Sequence, residues 1–318
     1  MYLGFDRSGY PGDAIMQSLK ASTNMTFVAV YLAPAPSHGD SAWMAHVPDL
    51  KAAGWGLLPV YVGQQTSGGP GSHSLTAAQG TTDAADVAAL AQTAGLDANS
   101  VVYLDIEQGG TMGPDLAAYV GGWIAGMTTT SFRAGVYCSF SNTAGQVAGI
   151  QRVPTWVFHP TDSGPTTIDL SQEAAPDPGN SGFSGAIAWQ YRMSLTGSID
   201  LTWTDSSGAA QSLTTVDLDS SLFPDPAHPD APTPTLTGGP NSAATGDTIT
   251  LTGTGLAYVI DVGFGNASIA QMVVVDDTQI TFTVPDGYSG QSVTVVVTDR
   301  FGTTSQGVTI SIDISPAP

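Results

Sequence analysis

Residues 101–107 read VVYLDIE, and this short stretch decides which fold the chain can adopt. Its apolar members are mostly β-branched or aromatic, which predicts a strand buried on both faces, as in a parallel sheet. Asp105 and Glu107 stand two residues apart at its carboxyl end, roughly 6–7 Å along the chain, so both would point to one face. α/β barrels build their sites at this end of their strands. A solvated acidic turn is the alternative.

Segments typical of strands and of helices alternate over residues 1–223, which argues for a parallel sheet with helices outside it. We predict strands at 2–6, 27–32, 56–62, 101–107, 133–139, 155–158, 186–191 and 215–218, and helices at 13–21, 42–53, 82–94, 116–127 and 142–150. Eight strands in this length favour an α/β fold of the closed (β/α)8 TIM type. No Gly-x-Gly-x-x-Gly follows the first strand, so a dinucleotide fold has little support.

The composition changes after residue 223. Residues 224–234 read PDPAHPDAPTP, which predicts a stiff, extended linker. Residues 235–318 show short alternating segments separated by Gly, Asp and Asn, and they predict an all-β, immunoglobulin-like sandwich. Its strands are expected at 247–253, 259–264, 269–275, 279–284, 292–298 and 307–312. The expected order is therefore a barrel, a linker and a sandwich.

The charge balance excludes some classes of partner. The chain has 318 residues, 27 of them acidic and 7 basic, for a formal net charge of −20. Nucleic acid is not expected as a ligand, because phosphate contacts need Lys and Arg. An anionic membrane surface is disfavoured for the same reason.

The single cysteine, Cys138, excludes an intrachain disulfide, and its strand-like surroundings predict a small buried residue rather than a nucleophile. The chain does not open with a basic segment followed by an apolar one, so any export is expected to use another route or a removed leader. No apolar run is long enough to span a bilayer, and no membrane insertion is expected.

Several motifs occur in an order that carries a family resemblance. Gly4-Phe5-Asp6 and Tyr10-Pro11 stand near the start, Asp105-Ile106-Glu107 in the middle, and Ala188-Trp189-Gln190-Tyr191 precedes Val216-Asp217-Leu218-Asp219. Over residues 1–225 the chain resembles the family 25 muramidases, and more closely the glycoside-hydrolase-like barrels of the domain of unknown function 1906 group. Thr254-Gly255 and residues 262–266 resemble the immunoglobulin-like IPT/TIG modules, which serve as spacers or docking domains.

The resemblance implies a role for each acid. Glu107 would be the general acid, and Asp105 would stabilise the cationic centre or orient the acetamido group of the substrate. Asp6 and Asp217 would complete the acidic floor. Glycoside hydrolysis needs one protonated and one ionised carboxyl, and crowded carboxyls move each other's pKa values apart.

Other side chains are candidates for binding the substrate. Flat rings for stacking on sugars are offered by Tyr137, Trp156, Trp189 and Tyr191, although packing inside the barrel is an equal alternative. Gln190 could hydrogen-bond a sugar hydroxyl or a catalytic carboxylate. His159 follows the sixth strand and could line the mouth, or be structural. The other histidines lack ligand spacing, so neither a metal site nor a cofactor is expected.

Two functional hypotheses remain open. The first is a glycosidase acting on cell-wall peptidoglycan or a related polysaccharide. The second is a glycan-binding or structural component of a phage virion or tail, with protein assembly contacts through residues 235–318. Both place the protein outside the cell or on a virion. An intracellular α/β enzyme acting on a small metabolite has no motif in its favour.

Overall fold

The computed structural model describes residues 1–66, 73–160, 166–193, 199–230, 232–269 and 271–313. The chain forms two units, Met1–Pro229 and Asp230–Pro318. The first therefore ends at Pro229 rather than at residue 223, so that it includes the beginning of the predicted linker.

The first unit alternates strands and helices, as the sequence pattern indicates. Its described strands are β1 (Tyr2–Asp6), β2 (Met25–Tyr31), β3 (Gly56–Val62), β4 (Val101–Asp105), β5 (Arg133–Ser139), β6 (Thr155–Phe158), β7 (Thr166–Asp169), β8 (Ala188–Arg192), β9 (Ile199–Thr204) and β10 (Ala210–Ser221). Its described α-helices are α1 (Asp13–Ser22), α2 (Ala42–Ala45), α3 (Val47–Ala52), α4 (Ala77–Ala94), α5 (Pro114–Met127) and α6 (Asn142–Ile150).

Eight strands close into a barrel in the order β1-β2-β3-β4-β5-β6-β8-β10, and β10 returns to pair with β1. The neighbouring pairs from β1 to β8 are parallel, whereas β10 is antiparallel to β8 and to β1. The closed eight-stranded barrel agrees with the prediction, but the direction of its closing strand departs from a regular (β/α)8 fold. The chain enters β10 through a hairpin from β9, and so arrives from the opposite end of the barrel.

The late part of the barrel differs from the prediction in other ways. Two short strands, β7 and β9, were not predicted, and β10 is twelve residues long instead of the four predicted at 215–218. The outer half of β10 pairs with β9, which pairs with β7, so this hairpin extends the sheet beyond the barrel. Threonine-rich segments such as TTID, which is β7, carry too little apolar pattern to be found from the sequence.

Two of the predicted helices differ most from the observed ones, whereas the others agree to within two residues. The helix expected at 42–53 is divided into α2 and α3, with Pro48 in the first turn of α3, where the missing N–H costs least. The helix expected at 82–94 begins at Ala77, because Thr76 caps it by accepting a hydrogen bond from the N–H of Gln79 at 3.1 Å.

Helices α4 and α5 pack with their backbones in close contact. A Cβ atom added to Gly80 would lie 2.1 Å from the carbonyl oxygen of Tyr119, and one added to Gly122 would lie 2.0 Å from that of Ala77. Real Cβ atoms do not approach backbone this closely, so glycine at these two positions sets the distance between the helices.

Residues 224–228, at the start of the predicted linker, bind the end of the barrel where β3 and β4 begin. The N–H of Leu57 donates to Asp225 Oδ1 at 2.8 Å, and the N–H of Val101 donates to the carbonyl oxygen of Ala227 at 2.8 Å. The hydroxyl of Tyr103, inside the barrel, donates to the carbonyl oxygen of Pro226 at 3.0 Å. This segment is thus a cap on the barrel and not a free spacer.

A serine, a histidine and an aspartate also meet at this end of the barrel. Ser100 Oγ lies 3.0 Å from His228 Nε2, and His228 Nδ1 lies 2.8 Å from Asp225 Oδ2. Ser100 is fully buried, and its hydroxyl donates to the carbonyl oxygen of Asp97 at 2.7 Å. A catalytic nucleophile must be reached by its substrate, and the buried Ser100 is not. The three residues therefore hold the cap in place.

The second unit is a β-sandwich. Its described strands are β11 (Thr235–Gly238), β12 (Ser242–Ala243), β13 (Thr248–Thr254), β14 (Val259–Phe264), β15 (Ala267–Ile269), β16 (Met272–Asp276), β17 (Gln279–Thr283), β18 (Ser292–Asp299) and β19 (Val308–Ile312). They form two sheets, ordered β11-β13-β17-β16 and β12-β19-β18-β14-β15. The alternating inner residues of both sheets, such as Leu251, Val262 and Val295, form one buried core. In the described part of the whole chain, no helix combines the length and the apolar character that crossing a membrane requires.

Candidate active site

The closed barrel brings together acids that are far apart in the sequence. Asp6 ends β1 and Asp105 ends β4, so both lie where the parallel strands end. Asp217 is the partner of Asp6 in the pairing of β1 with β10. Burial raises the pKa of Asp105 well above its usual range, and the negative charges of Glu107 and Asp6 raise it further. Asp6, Asp105 and Glu107 are thus electrostatic neighbours, as the sequence predicts.

Asp6 is held by hydrogen bonds that cross the barrel interior. Tyr31 Oη donates to Asp6 Oδ1 at 2.9 Å, and Gln190 Nε2 donates to Asp6 Oδ2 at 2.6 Å. Tyr137 Oη in turn donates to Gln190 Oε1 at 2.8 Å, which orients the amide. Burial raises the pKa of Asp6, and the hydrogen bonds from Gln190 and Tyr31 partly oppose that rise. Tyr31 is a member of this network that was not predicted from the sequence.

Asp219 is a second unpredicted member of the acidic cluster. It is fully buried, and Trp156 Nε1 donates to its Oδ1 at 2.9 Å. Its Oδ2 is buried, and its carboxyl lies within hydrogen-bonding reach of the Asp6 carboxyl. Burial raises the pKa of Asp219 well above its usual range, as do the charges of Asp6 and Asp217. The period of two along a strand places Asp217 and Asp219 on the same face, a signal that was present in the sequence.

Asp105 and Glu107 have contrasting surroundings although only one residue separates them. Asp105 is 6 % exposed, and its Oδ1 is buried with no hydrogen-bond partner among the described residues. The strand predicted at 101–107 ends at Asp105, so Glu107 lies two residues beyond β4, and its side chain is exposed. The site therefore pairs a buried carboxyl that favours its neutral form with a carboxyl that a large ligand can reach.

Gln65 fixes the backbone that carries this pair, and it was not predicted from the sequence. Its Nε2 donates to the carbonyl oxygen of Asp105 at 2.9 Å, and its Oε1 accepts from the N–H of Glu107 at 3.0 Å. The loop after Glu107 is tied down as well, since the N–H of Gly110 donates to Ser141 Oγ at 2.9 Å and the N–H of Met112 donates to Gln146 Oε1 at 2.7 Å.

The aromatic candidates separate into those inside the barrel and those outside it. Tyr137 and Trp156 lie inside, with ring centroids 4.2 Å apart, and both are buried. Trp189 and Tyr191 point to the other side of β8 from Gln190, where Trp189 Nε1 donates to the carbonyl oxygen of His159 at 2.9 Å. Tyr191 Oη donates to Glu173 Oε1 at 2.9 Å. All four rings, inner and outer, are nearly inaccessible, so they pack within the protein, which corrects the prediction that they offer faces to a sugar.

His159 lies at the end of β6 and is half-buried. Its ring stacks on that of Phe140 with centroids 3.5 Å apart, and its Nδ1 lies 2.6 Å from the carbonyl oxygen of Ser181. These contacts give His159 a structural role in supporting Phe140 at the rim of the barrel.

The raised pKa of Asp219 predicts how stability varies with pH. The pKa of Asp in an unfolded chain is about 3.9, so above that pH the folded state retains a proton that the unfolded state has lost. The free energy of unfolding should then fall as the pH rises toward the folded pKa, by about 1.4 kcal/mol per pH unit. Asp219→Asn removes this penalty, so thermal unfolding from pH 4 to 8 should show a stability advantage over the wild type that grows with pH.

Asp205→Asn is the control for this measurement. The pKa of Asp205 is lowered to about 2, first by the hydrogen bond from Ser207, and the residue is only half-buried. Its replacement should bring no gain in stability as the pH rises. An advantage of Asp219→Asn that is constant with pH would contradict the assignment.

Comparison with known proteins follows the same division of the chain. The family model described as "Rv2525c-like, glycoside hydrolase-like domain" matches residues 17–215, and the model for the IPT/TIG domain matches residues 237–312. No curated protein matches the chain.

Solved structures give further similarities. An uncharacterized protein from B. stearothermophilus is 16% identical, with a TM-score of 0.49 over 70% of this chain and 96% of that one. The spore cortex lytic enzyme SleM from Clostridium perfringens is 14% identical, with a TM-score of 0.48 over 98% of both chains. The lysozyme from Streptomyces coelicolor is 18% identical, with a TM-score of 0.44 over 70% of this chain and 92% of that one. From the extent of the first family match, the chain belongs to the Rv2525c-like glycoside hydrolase-like family, and an IPT/TIG domain follows its barrel.

Proposed function

We propose that the barrel hydrolyses glycosidic bonds in cell-wall peptidoglycan or a related polysaccharide outside the cell. The observation that carries this proposal is the pairing of an exposed Glu107 with a buried Asp105 of raised pKa. Membership of a glycoside hydrolase-like family supports it. Glycosidases commonly work with two carboxyl groups in different environments, one of which delivers a proton to the leaving oxygen.

Glu107 is the general acid in this proposal because its side chain is accessible to a polymer. As the bond between the anomeric carbon and the bridging oxygen breaks, Glu107 gives its proton to that oxygen. Water then adds to the anomeric carbon and returns a proton to Glu107. Burial raises the pKa of the neighbouring Asp105, and the charge of Glu107 raises it further. Asp105 orients the acetamido group or stabilises the positive charge that develops.

The remaining acids and their donors act on the same centre. Asp6 is fixed by Tyr31 and Gln190, and it contributes negative charge below the developing cation. Gln190 is held by Tyr137, so its amide keeps one orientation. Asp217 and Asp219, both on the closing strand β10, complete the acidic cluster. A preorganised set of dipoles and charges of this kind is commonly the largest single contribution to catalysis.

The proposal is tested by digesting purified peptidoglycan and measuring new reducing ends. Glu107→Gln should lower the rate on the order of 10²- to 10⁴-fold, the usual contribution of a general acid. Asp286→Asn changes an exposed acid of the second unit and should retain the wild-type rate. A wild type that releases no more reducing ends than Glu107→Gln would end the hydrolytic proposal.

The second candidate is a barrel that binds the glycan without cleaving it, with the IPT/TIG domain docking on a partner such as a virion component. The presence of the IPT/TIG domain favours this second candidate, since modules of this kind commonly serve as spacers or docking domains. Sedimentation with peptidoglycan separates the two candidates. Retention of the protein without new reducing ends would support the binding role.

A further inference from the structure

A groove of about 510 Å³ lies on the barrel rim beside the loop that follows Glu107. We name it the rim groove. The side chains that line it are those of Thr111, Phe140, Ser141, Asn142, Gln146 and Phe183. They come from three places: the loop after β4, the start of α6, and the segment before β8. None of the residues given above as forming the acidic cluster is among them.

The rim groove is continuous with the structure that carries the acids. Ser141 Oγ accepts from the N–H of Gly110, three residues after Glu107, and lies 3.3 Å from Ser139 Oγ at the end of β5. Asn142 Nδ2 donates to Thr111 Oγ1 at 3.1 Å, so opposite walls of the groove are joined. Residues 108–111 therefore connect Glu107 directly to the rim groove.

The chemistry of the groove fits a neutral sugar. Its lining carries no charged side chain, although the whole chain has 27 acidic residues. Phe140 and Phe183 are half-buried, and their rings provide apolar area. The amides and hydroxyls beside them supply hydrogen-bond donors and acceptors. An aromatic surface with a few placed polar groups is the usual composition of a site for a small organic ligand.

Two features keep the ring of Phe140 in place and accessible. One face is supported by His159, at a centroid distance of 3.5 Å. Next to it stands Gly182, with a φ of +95°, and a Cβ there would lie 2.8 Å from Cδ2 of Phe140. A side chain at position 182 would therefore cover or displace the ring.

From these contacts we infer that the rim groove binds a further, uncharged sugar ring of the same glycan chain that Glu107 cleaves. This inference rests on the proposed function for the identity of the polymer. It assigns to the groove a share of the affinity and no part in the chemistry. Filling the groove should then weaken binding of the polymer while the acids remain intact.

Gly145 allows the groove to be filled without disturbing the fold. It is an exposed residue of α6 that lines the groove, and a Cβ added to it meets no atom within 4 Å. Gly145→Phe should raise the dissociation constant for purified peptidoglycan, measured by sedimentation, roughly five- to tenfold, as expected for the loss of one stacked ring. Gly149→Phe, one turn later in the same helix and also with open space, should bind as the wild type does.

The same samples are assayed for new reducing ends. Weaker binding by Gly145→Phe alone supports the rim groove, whether or not any variant cleaves the glycan. Equal binding by both variants and the wild type would overturn the rim groove and leave hydrolysis at Glu107 standing. A wild type that does not bind peptidoglycan would overturn both proposals.

Discussion

Replacing Asp105 by Asn is expected to reduce glycan hydrolysis on the order of 10²- to 10³-fold and, at pH 7, to stabilise the barrel. The loss of activity follows because an amide cannot ionise when positive charge develops at the anomeric carbon of the bound sugar. The gain in stability follows from burial, which raises the pKa of Asp105 well above its usual range. From about pH 4 upward, folding must keep a proton on this carboxyl or bury its charge, at about 1.4 kcal/mol per pH unit up to the folded pKa. Asn has no such cost.

The two effects are measured on one sample, by reducing ends released and by thermal unfolding at pH 5 and pH 7. The gain in stability should be larger at pH 7. Asp86→Asn, at an exposed position on α4, should leave both properties near those of the wild type. An Asp105→Asn protein that is less stable than the wild type at pH 7 would show that the carboxyl has partners beyond those seen here.

Replacing Gly122 by Val is expected to unfold the barrel or to lower its free energy of unfolding by more than about 4 kcal/mol. The new Cβ would lie 2.0 Å from the carbonyl oxygen of Ala77, which belongs to backbone at the start of α4 and cannot turn aside. The helices would have to separate, and apolar contacts around Trp123 would be lost with them. Urea unfolding is the measurement.

Gly121→Val is the matched control, because it makes the same change at the neighbouring residue of α5. Its new Cβ would lie 3.8 Å from Cγ2 of Ile150, an ordinary contact. This variant should be about as stable as the wild type. Equal stability of the two valine variants would contradict the close packing of α4 on α5.

The early barrel could be predicted from the sequence because each strand is strongly apolar and each helix is bounded by small or turn-forming residues. β1, β3, β5 and β6 have the predicted bounds. The family resemblance and the IPT/TIG domain are confirmed by the family models. The barrel after residue 158 was harder to predict, because β7 is short and threonine-rich, and because the chain reaches the closing strand through a hairpin instead of a helix.

The candidate site was predicted in its acids and only partly in the side chains around them. Asp6, Asp105 and Glu107 were visible as acids at strand ends. The inward-facing residues of β8 were not visible in this way. Trp189 and Tyr191 lie on one face of the strand and Gln190 on the other, and the sequence does not show which face lines the barrel interior. Gln65 and Tyr31 were missed since their importance arises from contacts with residues far away in the chain.

The cap formed by residues 224–228 has a consequence for synthesis on the ribosome. The N–H groups of Leu57 and Val101 donate to Asp225 and Ala227, which are translated more than a hundred residues later. β1 likewise lacks its antiparallel partner until β10 has been synthesised. A nascent barrel must therefore persist with an open seam and an uncovered end until its last segment leaves the exit tunnel, and contacts this distant make for slow closure.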